Sequence, residues 1–360
     1  MIKGQKLKGT IVALVGDILP TRSLSDLPVS AAEVFKVISS ADFSVGNFEM
    51  PLTDRGWPIE KLLNIRAHPD IASSVGELGV DLVTVANNHS VDFGWDGLSQ
   101  TVDLLQNSGV AVIGAGLNVE LARRPALHTV GGVTIGVIAF SCLLPTGMAA
   151  SPDRPGISPI HIDTGYEVNA HYQMEEPGDI AAVRVRTSAR ERDVVEAEFA
   201  IKELKKMCDK VVITIHWGFG SGEELAEYQE PLARRLLDAG GDVIHGHHPH
   251  AVHGIGFHRG KPILFSLGTL VGQQVFLDAP TNVKALWKAM SPDGYIASIR
   301  INSDERTSVE IIPTRLGEDR LPMLAQGQAF DSICERLKRL SRPLGANIEH
   351  HDAQLRASAL

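Results

Sequence analysis

Apolar runs rich in β-branched residues alternate with segments of helical spacing over the first 270 positions. Residues 9–15 (GTIVALV) read as a buried strand, closed by Gly16-Asp17 and stopped at Pro20. Residues 30–40 carry apolar positions at helical spacing, and 42–45 return to extended structure that runs out at Asn47-Phe48-Glu49. Residues 69–78 predict a helix with proline in its first turn and Gly79 behind it; 80–86 (VDLVTVA) predict another strand, leaving at Asn87-Asn88-His89. A helix over 95–106, closed by Gly109, leads into a short strand at 110–113. Gly131-Gly132 between two alternating runs predicts a hairpin across 126–141, so the sheet is mixed.

From 145 to 188 the pattern gives way to proline, glycine and scattered aromatics, which reads as an inserted lid outside the core. A charged helix over 189–207, a strand over 210–215 and a helix over 224–239, opened by Glu223 and Glu224, resume the alternation. The strand leaves at His216-Trp217-Gly218, and a short one at 242–244 leaves into a histidine cluster. Strands are expected at 262–266, 295–301 and 308–313. A final amphipathic helix, FDSICERLKRL, precedes an unpatterned and disordered tail. The domain reading is therefore one unit over 1–328, with its insertion at 145–188, and a C-terminal helix and tail over 329–360.

Composition narrows the class. With 44% hydrophobic and 21% charged residues the 360-residue chain has the balance of a globular protein. Lys plus Arg number 34 against 43 acids, and the resulting charge of −9 argues against a broad nucleic-acid or anionic-membrane footprint. No run approaches the roughly 18 to 20 apolar residues of a bilayer span. Residues 1–8 show no signal-peptide pattern, so the expected location is cytoplasmic. Cys142, Cys208 and Cys334 are far apart and fit buried thiols better than a disulfide framework or thiolate metal site. No GxGxxG, GxxxxGK[ST] or GxSxG motif is present.

Five of the 14 histidines (His245, His247, His248, His250 and His253) fall within nine residues. Crowded imidazoles repel one another when protonated, so metal ligation or hydrogen bonding is expected to keep them neutral. Every unusual polar cluster lies where an apolar strand ends: Asp17, Glu49, Asn88-His89, His216 and His248-Pro249-His250. Open α/β sheets bind ligands at the carboxyl ends of strands, so these residues can converge. Two carboxylates, one amide and several imidazoles suit Mn²⁺, Zn²⁺ or Fe²⁺.

The order of these exits resembles the calcineurin-like metallophosphoesterases, and more closely the CapA family of poly-γ-glutamate capsule proteins. The resemblance rests on Gly16-Asp17, residues 47–53 (NFEMPLT), 87–92 (NNHSVD), His216-Trp217-Gly218, 246–250 (GHHPH) and Ser266-Leu267-Gly268. It implies a four-layer αββα sandwich of the α/β class, metallophosphatase-like, with a lid insertion. It further implies one or two divalent ions held by Asp17, Glu49, Asn88, His216, His248 and His250, with Glu49 the candidate bridge. His89 would then be the general acid and Asp92 its orienting carboxylate. The phosphoesterase pattern has a histidine where this chain has Leu19; His247 or His245 can stand in for it.

The activity so implied is a divalent-metal-dependent hydrolase, in which a metal-bound hydroxide attacks a phosphoester, amide or lactone of a small anionic or γ-glutamyl substrate. Trp217, His247, Arg154 and Tyr172 are the candidate substrate contacts, the last two from an insertion that also carries His161, Tyr166, His171, Arg184 and Arg186. Two alternatives stand beside it. One is an accessory role in poly-γ-glutamate synthesis or export, which the missing anchor disfavours; the other is a binding module with a decayed metal site. No nucleic-acid partner and no membrane span are expected, and the oligomeric state is open.

Overall fold

The computed structural model describes residues 9–301, 308–351 and 354–360; the N-terminal segment 1–8 lies outside it. The first apolar run becomes the strand Thr10–Leu19, around which the larger sheet is organised. Its first half pairs antiparallel with Asp293–Ile301, and its far end, from Asp17, pairs in parallel with Thr269–Gly272. On its other side Phe43–Phe48, Leu82–Thr84 and Ala111–Ile113 follow in parallel. Beyond Asp293–Ile301 the sheet continues antiparallel through Val309–Leu316 to Gln354–Ala359 and Ala346–His351. With Pro322–Leu324 this makes ten strands.

A second sheet has six strands. Val133–Ser141, Lys210–His216, Val243–His247 and Lys261–Leu264 run parallel, flanked by antiparallel Ala126–Val130 and Ile255–His258. The central strands are apolar on both faces because both faces are covered. One core joins Val12, Leu14, Phe43 and Val45 of the large sheet to Val137, Val212, Val243 and Leu264 of the second. A second core packs helices Val29–Ser39 and Gly94–Asn107 on the large sheet, and a third packs Glu191–Lys205 and Gln229–Asp238 on the six-stranded one. The result is a mixed α/β fold of several sheets and helices, consistent with a metallophosphatase-like chain. Among the described residues no helix is long and apolar enough to cross a membrane.

Three expectations are corrected. The helix expected from residue 224 begins at Gln229, because the Glu223 carboxylate is held by Arg339 at 2.8 and 2.9 Å and by Arg336 at 3.3 Å, which keeps 218–224 a loop. The 145–188 insertion is partly core: Met148, Ile157 and Ile160 are fully buried, and only the hairpin Ile162–Val168 with Val183–Ala189 stands out from the body. The C-terminal tail, expected to be disordered, forms the antiparallel pair Ala346–His351 and Gln354–Ala359. Its apolar positions Ile348, Leu355 and Ala357 alternate with polar ones, a period-2 pattern too short to stand out in the sequence, and they enter the core between the sheets.

Leu355 is fully buried opposite Ile311, so Leu355→Ala is expected to lower the free energy of unfolding by about 2–5 kcal/mol in chemical denaturation. Leu360→Ala, at a residue 77% exposed, is the control and should change it by less than about 0.5 kcal/mol.

Candidate metal centre

The strand Thr10–Leu19 changes register with both parallel neighbours around Asp17, the mark of a bulge that re-aims one side chain. Gly16 is required there: a Cβ on it would lie 1.9 Å from the Gly268 carbonyl oxygen, while the Asp17 amide donates to that same oxygen at 3.1 Å. Glu49 follows the end of Phe43–Phe48, Asn88 follows Leu82–Thr84, and His216 and His247 close their strands. The chain then turns sharply, with His248 at φ 109° and His250 at φ 50°, values that non-glycine residues rarely adopt. Gly246 admits this approach, since a Cβ there would lie 2.4 Å from Phe265 O and 2.5 Å from Trp217 Nε1.

These exits meet. Asn47 Nδ2 donates to Asp17 Oδ1 at 2.8 Å and to Glu49 Oε2 at 3.3 Å, tying the two carboxylates together. His216 Nε2 stands 2.8 Å from Asn88 Oδ1 and 3.5 Å from Glu49 Oε1. His250 Nδ1 is 3.0 Å from Asp17 Oδ2, and its Nε2 is 3.8 Å from Glu49 Oε1. Two groups emerge whose ligand atoms lie within 4.8 Å of one another: Asp17 with His216 and His247, and Glu49 with His248 and His250. All six sequence-proposed ligand residues belong to this one cluster.

Asp17 and Glu49 have no accessible surface, yet Asp17 Oδ2, Glu49 Oε1 and His248 Nδ1 have no hydrogen-bond partner of acceptable geometry. Orphaned oxygens of this kind are costly unless something positive meets them. Burial, reinforced by Asp17, lifts the Glu49 carboxyl well above its ordinary range despite the opposing pull of His250. Burial opposes the His250 cation, but Glu49 and Asp17 outweigh it and raise the imidazole to about 9. Burial and neighbouring imidazoles push His216, His247 and His248 well below their ordinary value, leaving them neutral with lone pairs to give. This donor set fits a divalent cation: hard carboxylate and amide oxygens beside neutral imidazoles, with orphaned acceptor atoms in their midst.

Beside the cluster, His89 Nδ1 lies 2.8 Å from Asp92 Oδ2, and the Ile65 amide donates to that same oxygen at 2.8 Å. Asp92 Oδ1 accepts from Lys61 Nζ at 2.6 Å, and Lys61 also donates to the Asn88 carbonyl. Burial lowers the His89 imidazole against the upward pull of Asp92. Asn87 is a scaffold: its Nδ2 donates to Asn47 Oδ1 and Phe48 O, and its Oδ1 accepts from the His89 and Ser90 amides.

Of the proposed substrate contacts, Trp217, Arg154 and Tyr172 lie outside the cluster, and His247 belongs to its Asp17–His216 group. Trp217 is fully buried, stacked on Phe265 with its Nε1 donating to Phe265 O at 2.9 Å, so it is a core side chain. His247 is also fully buried, its Nδ1 2.8 Å from His216 Nδ1 and its Nε2 2.9 Å from Thr214 Oγ1, which places it behind His216. Arg154 is exposed and donates to Ala149 O; Tyr172 donates to Asp179 at the tip of the protruding hairpin. Among the described residues no hydrogen bond or ion pair joins either to the cluster. Leu19 is a core residue; of the two proposed stand-ins for the missing histidine, His245 is committed to Val15 O at 2.8 Å, whereas His247 lies in the group with Asp17 and His216. The sequence reading passed over Asn47, although its own NFEMPLT motif contained it, and Lys61, which sits in an irregular segment with no pattern to flag it.

His245 offers a test of burial without ligation. Desolvation lowers its imidazole from 6.5 to about 4, so the folded state binds fewer protons than the unfolded one between those values. The stability it contributes is complete above pH 6.5 and is lost as the pH falls toward 4, by about 3 kcal/mol. Denaturation of wild type and His245→Gln in chelator should show the variant losing less stability across that window; equal slopes would remove His245 from the effect.

Residues 11–274 match the model of the bacterial capsule synthesis protein PGA_cap family. A probable polyglutamine synthesis accessory protein of Mycobacterium tuberculosis is 29% identical over 320 residues, covering 86% of this chain and 75% of that protein. The PGA biosynthesis protein CapA of Bacillus subtilis is 27% identical over 271 residues, covering 73% of this chain. The capsule biosynthesis protein CapA of Bacillus anthracis is 25% identical over 283 residues, covering 76%. The matches span 63% and 62% of those two Bacillus proteins, less than two thirds of either. With the family model covering most of its length, the chain belongs to the PGA_cap (CapA) family.

Proposed function

We propose that this chain is a divalent-cation-dependent hydrolase of a small anionic substrate carrying a phosphoester, amide or lactone. The observation that carries the reading is the pair of buried carboxylate oxygens, Asp17 Oδ2 and Glu49 Oε1, that accept no hydrogen bond and have His250 as the charged imidazole beside them, set among the neutral imidazoles of His216 and His248. Asp17, Glu49, Asn88, His216, His248 and His250 would hold one or two ions, Mn²⁺, Zn²⁺ or Fe²⁺ by donor type. A cation bound there supplies Lewis acidity toward a phosphoryl or carbonyl oxygen and makes water acidic enough to be deprotonated near neutral pH.

The chain's own residues do the rest. Asp92 accepts from His89 Nδ1 and fixes the ring, which leaves Nε2 as the atom that holds a proton or yields it to a leaving group. Lys61, bound to Asp92 and to the Asn88 carbonyl, clamps the turn carrying both Asn88 and His89. The three apolar cores, with helices on the outer face of each sheet, support the four-layer αββα reading. The names of the relatives favour a second reading, a role in poly-glutamate capsule synthesis. The two meet if the bond cleaved is γ-glutamyl.

Titration calorimetry and thermal melts with Mn²⁺ or Zn²⁺ test the centre. Ion at 100 times its dissociation constant should stabilise the fold by about 2.7 kcal/mol, reversed by chelator. Glu49→Gln, which keeps the side chain's size and removes its anionic ligand, should lose most of the ion-induced gain. Hydrolysis of a phosphodiester, a γ-glutamyl amide and an aromatic lactone, with and without Mn²⁺, identifies the bond. His89→Ala should lower turnover by about 10²- to 10⁴-fold with metal content unchanged. A wild-type protein that binds no ion and ignores chelator would overturn the proposal.

A further inference from the structure

Helix Gly94–Asn107, the strand Ala111–Ile113 and the segment 114–126 enclose a cavity of about 370 Å³ that contains none of the candidate ligands of the centre. That is the size of a small-molecule site. Two glycines fix its wall: a Cβ on Gly114 would lie 2.8 Å from Ala86 Cβ, and one on Gly116 would lie 2.3 Å from the Ala122 amide nitrogen. The chain is packed too closely there to shift. Trp95, Val102, Val112, Leu117 and Leu121 give the cavity an apolar body.

Two opposite charges on its rim are unpaired. Asp103 and Arg124 both line the cavity and are exposed, and among the described residues neither side chain makes an ion pair or hydrogen bond. Arg123, one position earlier, is by contrast committed to Glu196 at 2.6 Å. Arg124 therefore has its whole guanidinium fork free for an anion. Asp103 stands toward the C-terminal end of a helix without a single basic residue, where the helix dipole disfavours an anion. A cation from outside the protein would offset that cost.

The backbone adds a third feature. Ala111–Ile113 ends the large sheet on its side. The Ala111 amide donates to Asp81 O, and Ile113 O accepts from the Val85 amide, so both residues direct their polar groups into the sheet. Alternation along the strand turns the N–H and C=O of Val112, between them, to the open side.

We propose that this cavity binds a short apolar peptide with both ends free, of dipeptide length. Its carboxylate pairs with Arg124, its ammonium with Asp103, and its one peptide group with Val112, a strand added in miniature to the sheet edge. Charge selects the ligand. A peptide with two free ends is neutral overall and answers both rim charges, whereas a purely acidic molecule meets Asp103 and a purely basic one meets Arg124. The apolar walls select its side chains. The inference goes beyond the hydrolase reading and does not rest on it.

Titration calorimetry of the full chain in chelator, with L-leucyl-L-leucine as the probe, should show saturable binding. Leucyl-leucinamide lacks the carboxylate and 4-methylpentanoyl-leucine lacks the ammonium, and each should bind about ten-fold more weakly. The dipeptide methylated on its peptide nitrogen, and free L-leucine, should weaken similarly. Arg124→Gln should weaken the dipeptide about ten-fold and leave leucyl-leucinamide unchanged, and Asp103→Asn should weaken it equally and leave 4-methylpentanoyl-leucine unchanged. Both residues are exposed and unpaired, so both variants should keep the wild-type melting temperature. A wild type without saturable binding, variants that bind the dipeptide like wild type, or leucine bound as tightly as the dipeptide overturns the proposal. Because chelator is present throughout, failure here leaves the metal centre untouched, and failure of the centre leaves this site untouched.

Discussion

The centre is governed by a deficit of positive charge. Asp17 and Glu49 are buried together, and the free energy of removing a carboxylate from water is several kcal/mol even after the protein relaxes. Asn47 gives one amide to both, and His250 is the cation beside them. Lys61 is close enough to favour ionised Glu49, but its ammonium is committed to Asp92 and the Asn88 carbonyl. The remaining imidazoles are neutral because the same burial that strands the carboxylates also discourages protonation. Donors without protons and acceptors without partners are thus gathered at one point, a composition that suits a cation better than the metal-free fold.

Backbone geometry makes this gathering possible. The bulge at Asp17 and the left-handed residues His248 and His250 are local departures that the packed strands around them hold in place. Gly16 and Gly246 stand where another chain segment comes so near that any side chain would collide with it. The candidate ligand side chains are therefore aimed by two sheets that share one core, and Asn47 and Asn87 lock the loops from the large-sheet side.

Much of this was legible in the sequence because strand ends are visible as places where apolar runs break at unusual polar residues. The strand ends pointed to Asp17, Glu49, Asn88, His216, His248 and His250 as candidates, whereas the pairing of His89 with Asp92 was what the family resemblance implied. What escaped notice has a physical reason in each case. Lys61 acts through a long side chain from an irregular segment, so no periodicity marks it. Trp217 adjoins His216 in sequence, but alternation along a strand turns neighbours to opposite faces, and it packs into protein against Phe265. The insertion looked uniform in composition, yet its first part supplies core residues and only its second part forms the protruding hairpin.

The strand Thr10–Leu19 has one further consequence, for the order of events during synthesis. Its neighbours include Phe43–Phe48, made soon after it, but also Thr269–Gly272 and Asp293–Ile301, made some 250 residues later. Every candidate ligand has left the ribosome by His250, while the strand carrying Asp17 still lacks its partners on one flank. Long-range pairings of this kind form slowly and late. The nascent chain therefore carries a complete but unassembled set of histidines and acids, which only the finished sheet gathers at one point.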